Sequence, residues 1–256
     1  MKFLLTAINA KFIHSNPAIY SLRAGVGEKL QPYVELAEFT INESLESILE
    51  GIWKRQPKVI GFSCYIWNWK LIREILMELP KILPDTEIWL GGPEVTYDGP
   101  GLLSEFPQVT GIMVGEGEVT FREVLDQYVR EAESTGQSEQ QSEPDSIEQQ
   151  AADRTGTVAG KSVAERFGQI SGLCLASGYT APRELTDLTT LPFLYEDMEP
   201  FTNRIIYYET SRGCPYRCSY CLSSIDKKVR LRDIDVVKRE LQFFLDQNVK
   251  QVKFID

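Results

Sequence analysis

One histidine in 256 residues is the scarcest chemical group of this chain. Cysteine–histidine catalysis would have to run through His14, which lies in the first inter-element loop. Long apolar runs are also missing. No stretch approaches the roughly 20 apolar residues of a membrane span, and the N-terminal MKFLLTAINAKF has neither a long apolar run nor a small-residue cleavage site. Basic residues are the minority, 27 Lys plus Arg against 37 Asp plus Glu for a formal charge of −10. That balance disfavours broad contact with nucleic-acid backbone or anionic lipid. The expected location is cytoplasmic, with no membrane partner. Thiols stay reduced there, so clustered cysteines point to metal or catalysis before disulfides.

A globular core is well supplied, because 43% of residues are hydrophobic and 11% aromatic, enough for one large or two ordinary domains. Over the first 130 residues short apolar runs alternate with amphipathic stretches. The runs are KFLLTAI (2–8), VELAEFTI (34–41), KVIGFSCYI (58–66), EIWLGG (87–92) and GIMVGEG (111–117). Stretches such as NPAIYSLRAGVGEKL, SLESILEGIWKRQ and NWKLIREILMELPKIL separate them, and VTFREVLDQYVREAE follows the last. This alternation predicts an α/β fold, an open doubly wound parallel sheet. The connection GLLSEFPQ is short enough for only a helical turn or two.

Ligands of such sheets bind beyond the carboxyl ends of the strands. The informative residues are therefore Ser63 and Tyr65 after the third run, Gly91 and Gly92 after the fourth, and Gly115, Glu116, Gly117 and Glu118 after the fifth. Taken singly, each glycine is explained by a tight strand-to-helix turn. A dinucleotide site fits poorly. The first turn, NAKFIHSNPA, has no glycine where G-x-G-x-x-G belongs, GVG at 25–27 falls in a predicted helix, and Glu116 and Glu118 would repel a pyrophosphate. A neutral or hydroxyl-rich ligand suits the loop better.

Residues 131–169 contain no aromatic until Phe167 and are rich in Ser, Gln, Glu and Gly, which predicts a disordered insertion. Residues 170–200 read as a short hairpin with a Ser-Gly turn, followed by an extended connector. From 201 a second unit begins: the run RIIYYET (204–210) leads into SRGCPYRCSYCLSS, then a helix at 233–249 and a strand KQVKFID.

Cys214, Cys218 and Cys221 are spaced C-x3-C-x2-C. Structural zinc takes four ligands in two pairs, and only one cluster exists. Cys64 and Cys174 fall in other predicted strands and read as small core groups. A disulfide would leave an odd thiol. A [4Fe–4S] cluster remains: three thiolates hold three irons and leave the fourth open. Arg212 and Arg217 are placed to stabilise thiolate charge, or are surface charges.

CPYRCSYC resembles the C-x3-C-x-φ-C signature of the radical S-adenosylmethionine superfamily, with Tyr220 at φ. PRELTDLTTLPFLYEDM is similar to the connector that follows a cobalamin-binding domain in that family, and GGPEVTYDG and VGEGEVTF are similar to that domain's fourth and fifth loops. The resemblance implies a Rossmann-like cobalamin-binding domain (1–130) and then the first part of a (βα)6 partial TIM-type barrel (201–256). It implies three cofactors: a [4Fe–4S] cluster on the three cysteines, S-adenosylmethionine with its adenine near Tyr220, and cobalamin at the strand-end residues named above. It also implies reductive cleavage of S-adenosylmethionine, most commonly for methyl transfer to an unactivated carbon, with a reductant such as flavodoxin or ferredoxin. D-x-H-x-x-G, a source of a lower cobalt ligand, is absent, so His14 is not expected to ligate. Tyr65, Ile66 and Trp67 are placed to shield that face of the corrin, or simply cap the sheet edge. The other reading is a non-catalytic cobalamin-binding or sensor module with a vestigial metal loop. Because the partial barrel has only one unit and the next strand after residue 204, this chain is expected to be a truncated, inactive form of a longer enzyme.

Overall fold

A computed structural model of the chain describes residues 1–139, 161–222, 225 and 228–255. Its first unit is built from five strands, β1 (Phe3–Asn9), β2 (Val34–Thr40), β3 (Val59–Ser63), β4 (Glu87–Gly91) and β5 (Val109–Met113). They alternate with helices α1 (Pro17–Gly25), α2 (Leu45–Trp53), α3 (Trp69–Ile82), α4 (Gly99–Glu105) and α5 (Gly117–Glu139). These five strands pair in parallel in the order β2-β1-β3-β4-β5. The order reverses between β1 and β3, and at such a point two crossover loops diverge and leave a crevice.

Strand alternation sorts the core into two layers. Leu4, Ile8, Ile60, Phe62, Ile88 and Leu90 point to the face covered by α2, α3 and α4. Phe3, Leu5, Ala7, Val59 and Trp89 point to the face covered by α1 and α5. Every residue of β1 is buried, as a central strand covered on both sides requires. Helix α3 shows the matching helical logic: Ile72, Ile75, Leu76 and Leu79 fall on one stripe, and all are fully buried.

The hairpin after the acidic stretch does more than connect. Its strands β6 (Leu173–Leu175) and β7 (Gly178–Tyr179) extend the sheet past β5, each antiparallel to its neighbour, to give seven strands. Cys174 lies buried in β6, and Cys64 is buried just beyond β3. The expected boundaries of the 131–169 insertion need correction. Helix α5 continues through Glu139, and a short helix, α6 (Val163–Phe167), is started by a Ser162/Glu165 capping box. Residues 140–160 lie outside the described residues. The polar composition concealed a buried ion cluster. The Arg166 side chain is 1% exposed and bonds Glu87 at 2.9 and 3.1 Å and Glu131 at 2.8 Å. Tyr128 donates to the same Glu87 at 2.7 Å and receives the Trp89 indole at 2.8 Å.

The second unit is a strand–helix–strand element. Strand β8 (Ile206–Tyr208) pairs in parallel with a later strand, and helix α7 (Ile234–Asp246) crosses between them. Between β8 and α7 lies an antiparallel ribbon of β9 (Ser211–Arg212) and β10 (Arg230–Leu231); the partner of β8 is β11 (Val252–Phe254). Tyr195, Phe201, Ile206, Tyr208, Val237 and Phe244 form its core. This is the expected opening of a barrel-type domain. Among the described residues no helix is long and apolar enough to cross a membrane.

Arg166→Met leaves Glu87 and Glu131 facing each other with no cation between them. The expected loss is about 3–5 kcal/mol, because breaking a buried pair strands its partners. Urea unfolding of the two chains compares them directly; a change within about 0.5 kcal/mol, the usual surface-mutation range, would show that the Arg166 ion cluster does not support the fold.

Candidate functional site

The site starts from how β3 ends. The sequence pattern carried this strand to residue 66, but the chain leaves it after Ser63 because buried Asn68 captures the backbone. Its amide donates to the carbonyls of Ile8 (3.0 Å) and Ser63 (2.9 Å), and its side-chain oxygen accepts the Tyr65 N–H (2.8 Å). Cys64 N–H then bonds the Gly91 carbonyl at 2.7 Å, tying the ends of β3 and β4 together. Gly92, at φ +113°, comes so close that an added Cβ would sit 2.5 Å from the Cys64 oxygen. Glycine is required there. Gly115, at φ +77°, has nothing within 4 Å of its would-be Cβ, so the β5 loop presents bare backbone.

These ends open onto a cavity of about 850 Å³. All eight strand-end residues named from the sequence line it: Ser63, Tyr65, Gly91, Gly92, Gly115, Glu116, Gly117 and Glu118. Facing them from the second unit are Cys214 and Cys221. Cys218 and Tyr220 are not part of the lining, and Tyr220 is 91% exposed. Of the three aromatic-loop residues only Tyr65 faces the cavity; it stacks on Trp67 (4.4 Å, 8° between planes), while Ile66 points to solvent. Burial raises the Tyr65 phenol above its usual value, so its hydroxyl stays protonated at neutral pH.

The two glutamates do not face an open cavity as bare charges, as the repulsion argument assumed. Glu116 receives Arg230 on both oxygens, the Thr186 N–H at 2.7 Å, and Arg212 at 3.4 Å. Glu118 receives Arg212 at 2.6 Å and the Ser21 hydroxyl at 3.2 Å. Burial pushes the Glu116 carboxyl upward, but the hydrogen bonds from Arg230 and Thr186 outweigh it and leave it below its usual 4.5. Arg212 also reaches Glu209 at 2.9 Å. Burial opposes its charge, yet hydrogen bonds to Glu209 and Glu118 raise its affinity for the proton. Arg212 is therefore committed to carboxylates, not to thiolates, and Arg217 is exposed.

The loop that carries the cysteines is pinched at its base by the β9–β10 ribbon. Gly213, at φ +97°, permits this closure, since a Cβ would lie 2.3 Å from the Lys228 carbonyl. Cys214, Cys218 and Cys221 are partly buried free thiols, and Cys221 N–H turns back to the Cys218 carbonyl at 3.1 Å. In donor chemistry and chain spacing they suit a thiolate-held cluster. Among the described residues, however, no three His, Cys, Asp or Glu side chains are gathered to hold a metal ion. His14 is not part of the cavity lining but sits behind one of its members, its Nδ1 2.6 Å from the Tyr207 hydroxyl and its backbone bridged to Ile205. Arg230 and Thr186 went unread in the sequence because nothing local announces a partner 114 or 70 positions away.

Fold and site now meet their counterparts among known proteins. Residues 4–125 match the B12 binding domain family, and the chain as a whole is similar to methyltransferases, one of them a cobalamin-dependent radical SAM enzyme. It is 26% identical over 225 residues to the 2-(S-pantetheinyl)-carbapenam-3-carboxylate methyltransferase of Streptantibioticus cattleyicolor, covering 84% of this chain and 29% of that protein. It is 28% identical over 212 residues to the cobalamin-dependent radical SAM methyltransferase TokK of Streptomyces tokunonensis, covering 78% and 27%. The chain thus spans less than a third of the length of these curated relatives. In three dimensions it is similar to the cobalamin-dependent S-adenosylmethionine radical enzyme OxsB with aqua-cobalamin and S-adenosylmethionine bound. There the TM-score is 0.67 at 16% identity, over 99% of this chain and 34% of that one, which supports the fold.

Gly92→Ala tests the strand-end geometry. A side chain at this positive φ, driven against the Cys64 carbonyl, is expected to cost about 1–3 kcal/mol and to open the β3–β4 end of the cavity. Thermal unfolding reads the first effect and titration with hydroxocobalamin the second. A variant unchanged in both would show that this contact does not shape the cavity.

Proposed function

We propose that this chain forms the cofactor-gathering part of a cobalamin-dependent radical S-adenosylmethionine methyltransferase, acting on an unactivated carbon of a substrate whose identity the residues do not specify. One observation carries the reading: strand ends of a B12-binding domain and two cysteines of a C-x3-C-x2-C loop line the same cavity from opposite sides. Two separate ligand sites would not need a common wall. When bound, the cluster would supply an electron to S-adenosylmethionine and cobalamin would supply a transferable methyl group. In this reading Cys214, Cys218 and Cys221 hold the cluster, and Tyr220 approaches the adenine. Gly91, Gly92 and Gly115 let a corrinoid pack on bare backbone, while Ser63 and Tyr65 offer hydroxyls to it. Ser63 is oriented for that by the Asn16 amide at 3.2 Å. Tyr65, kept neutral by burial, remains a hydrogen-bond donor. The electron would come from a small electron-donor protein of the flavodoxin or ferredoxin type in the cytoplasm.

A second reading, a binding or sensor module with a vestigial metal loop, is favoured by the ungathered cysteines. Anaerobic reconstitution with iron, sulfide and hydroxocobalamin separates the two. The first reading expects about four iron and four sulfide per chain, lost when any of the three cysteines becomes Ala. Zinc or no metal on the wild-type chain favours the second, and iron and sulfide retained by the triple-Ala variant would refute the cysteine assignment. His14→Ala is expected to keep the cobalamin absorbance spectrum, since His14 is not among the residues lining the cavity and its Nδ1 is taken by the Tyr207 hydroxyl. Loss of that spectrum with the fold intact would make His14 a ligand.

A further inference from the structure

We propose that Glu116 is a positioning residue for the cysteine loop: through Arg230 it fastens the base of that loop to the strand-end side of the cavity. The inference rests on the proposed reading of Cys214, Cys218 and Cys221 as cluster ligands, but the geometry of the two legs that carry them stands apart from any bound group.

The loop has two legs, β9 entering and β10 leaving, and each carries one arginine at the paired position, Arg212 opposite Arg230. Both guanidinium groups reach back to one short segment of the first unit. Arg230 grips both oxygens of Glu116 and also donates to the Thr186 carbonyl at 2.7 Å. Arg212 reaches Glu116 at 3.4 Å and Glu118 at 2.6 Å. The connector joins the same knot, since Thr186 donates its N–H to Glu116 and its carbonyl accepts from Arg230. One carboxylate therefore ties together the β5 loop, the connector and both legs of the cysteine loop. The side chains concerned are only 15% (Glu116) and 18% (Arg212, Arg230) exposed, so water competes weakly for these charge-assisted bonds.

Glu116 follows Gly115, whose backbone faces the open cavity. Two residues beyond Arg212 comes Cys214 on the opposite wall. The latch thus sets the separation between the wall of bare glycines and the wall of thiols. An ordinary structural carboxylate would be satisfied within its own unit. Here the three groups that reach Glu116, the Thr186 N–H and the Arg212 and Arg230 guanidinium groups, lie beyond the sheet, on the connector and the ribbon.

Cysteine alkylation in the full-length, reduced, metal-free chain tests this without any cofactor, because Cys64 and Cys174 are fully buried and report global folding in the same sample. Iodoacetamide rates are read at each cysteine by mass spectrometry for wild type, Glu116→Gln, Arg230→Gln and the double variant. Each single variant is expected to react about tenfold faster at Cys214, Cys218 and Cys221, through local opening of the loop, with Cys64 and Cys174 still protected. Residues that act as one latch give a double variant no faster than the faster single variant. Wild-type rates at the three loop thiols in both singles overturn the proposal, and so does a roughly hundredfold, additive effect in the double variant. If Glu116→Gln exposes Cys64, Arg230→Gln decides alone, since Arg230 lies outside the sheet. Hydroxocobalamin titration of the wild type runs alongside: failure to bind it counts against the proposed function and leaves the thiol result, and the latch, to be judged on their own.

Discussion

Three glutamates of the first unit meet three arginines of the second, and these pairs fasten the two units together. Glu38 pairs with Arg204, Glu116 with Arg230, and Glu118 with Arg212. Glu38 stands near the carboxyl end of β2 and Glu116 and Glu118 follow β5, while each arginine stands at the start of the second unit or on its ribbon. An ion pair at an open surface contributes little, because water screens it and both side chains lose freedom. These pairs are mostly withdrawn from water and share further donors, so removing one partner would leave a charge with poor solvation. Glu38 shows how far this goes. It also accepts from the Tyr20 hydroxyl at 2.7 Å, from Asn9 at 2.8 Å and from the Asn16 N–H at 3.1 Å.

The acidic excess takes on a different meaning in this light. A formal charge of −10 suggested a surface that repels polyanions. At the strand ends much of the negative charge faces inward and is neutralised across the seam by arginine. Arginine suits this task better than lysine, since its planar fork engages both carboxylate oxygens at once and stays charged when buried. Arg232 repeats the pattern inside the second unit, with two bonds of 2.8 Å to Glu240, which also accepts from the Tyr208 hydroxyl.

The five strands, the helices between them and the residues at the strand ends were legible in the sequence because each follows from a local rule. Period-two and helical stripes mark which residues are buried, and glycine marks where backbone must come close. Boundaries failed where a side chain overrode the pattern, as at Ser63, where Asn68 ends a strand that SCYI would have prolonged. The 131–169 stretch misled for a related reason. Its polar composition gives no sign that Glu131 and Arg166, 35 positions apart, will be folded against each other and Glu87 in a sealed cluster.

The seam itself was out of reach for a physical reason. Local sequence reveals the sign of a charge but not its counter-charge. Glu116 and Glu118 beside glycines suggested repulsion of an anionic ligand, and Arg212 beside cysteines suggested attraction of thiolates. Both inferences used Coulomb's law correctly on incomplete neighbourhoods. Once Arg212 and Arg230 are brought from 94 and 114 positions away, the glutamates become acceptors and the arginines are no longer available to sulfur. What faces the thiols in the cavity is backbone, hydroxyl-bearing side chains such as Ser63, Tyr65, Thr96 and Ser211, and an apolar wall that includes Phe193 and Leu194. A lining with little free charge stabilises neither a bare thiolate nor a bare carboxylate. It favours a large ligand of low net charge that brings its own polar groups, which is the kind of molecule a B12-binding domain holds.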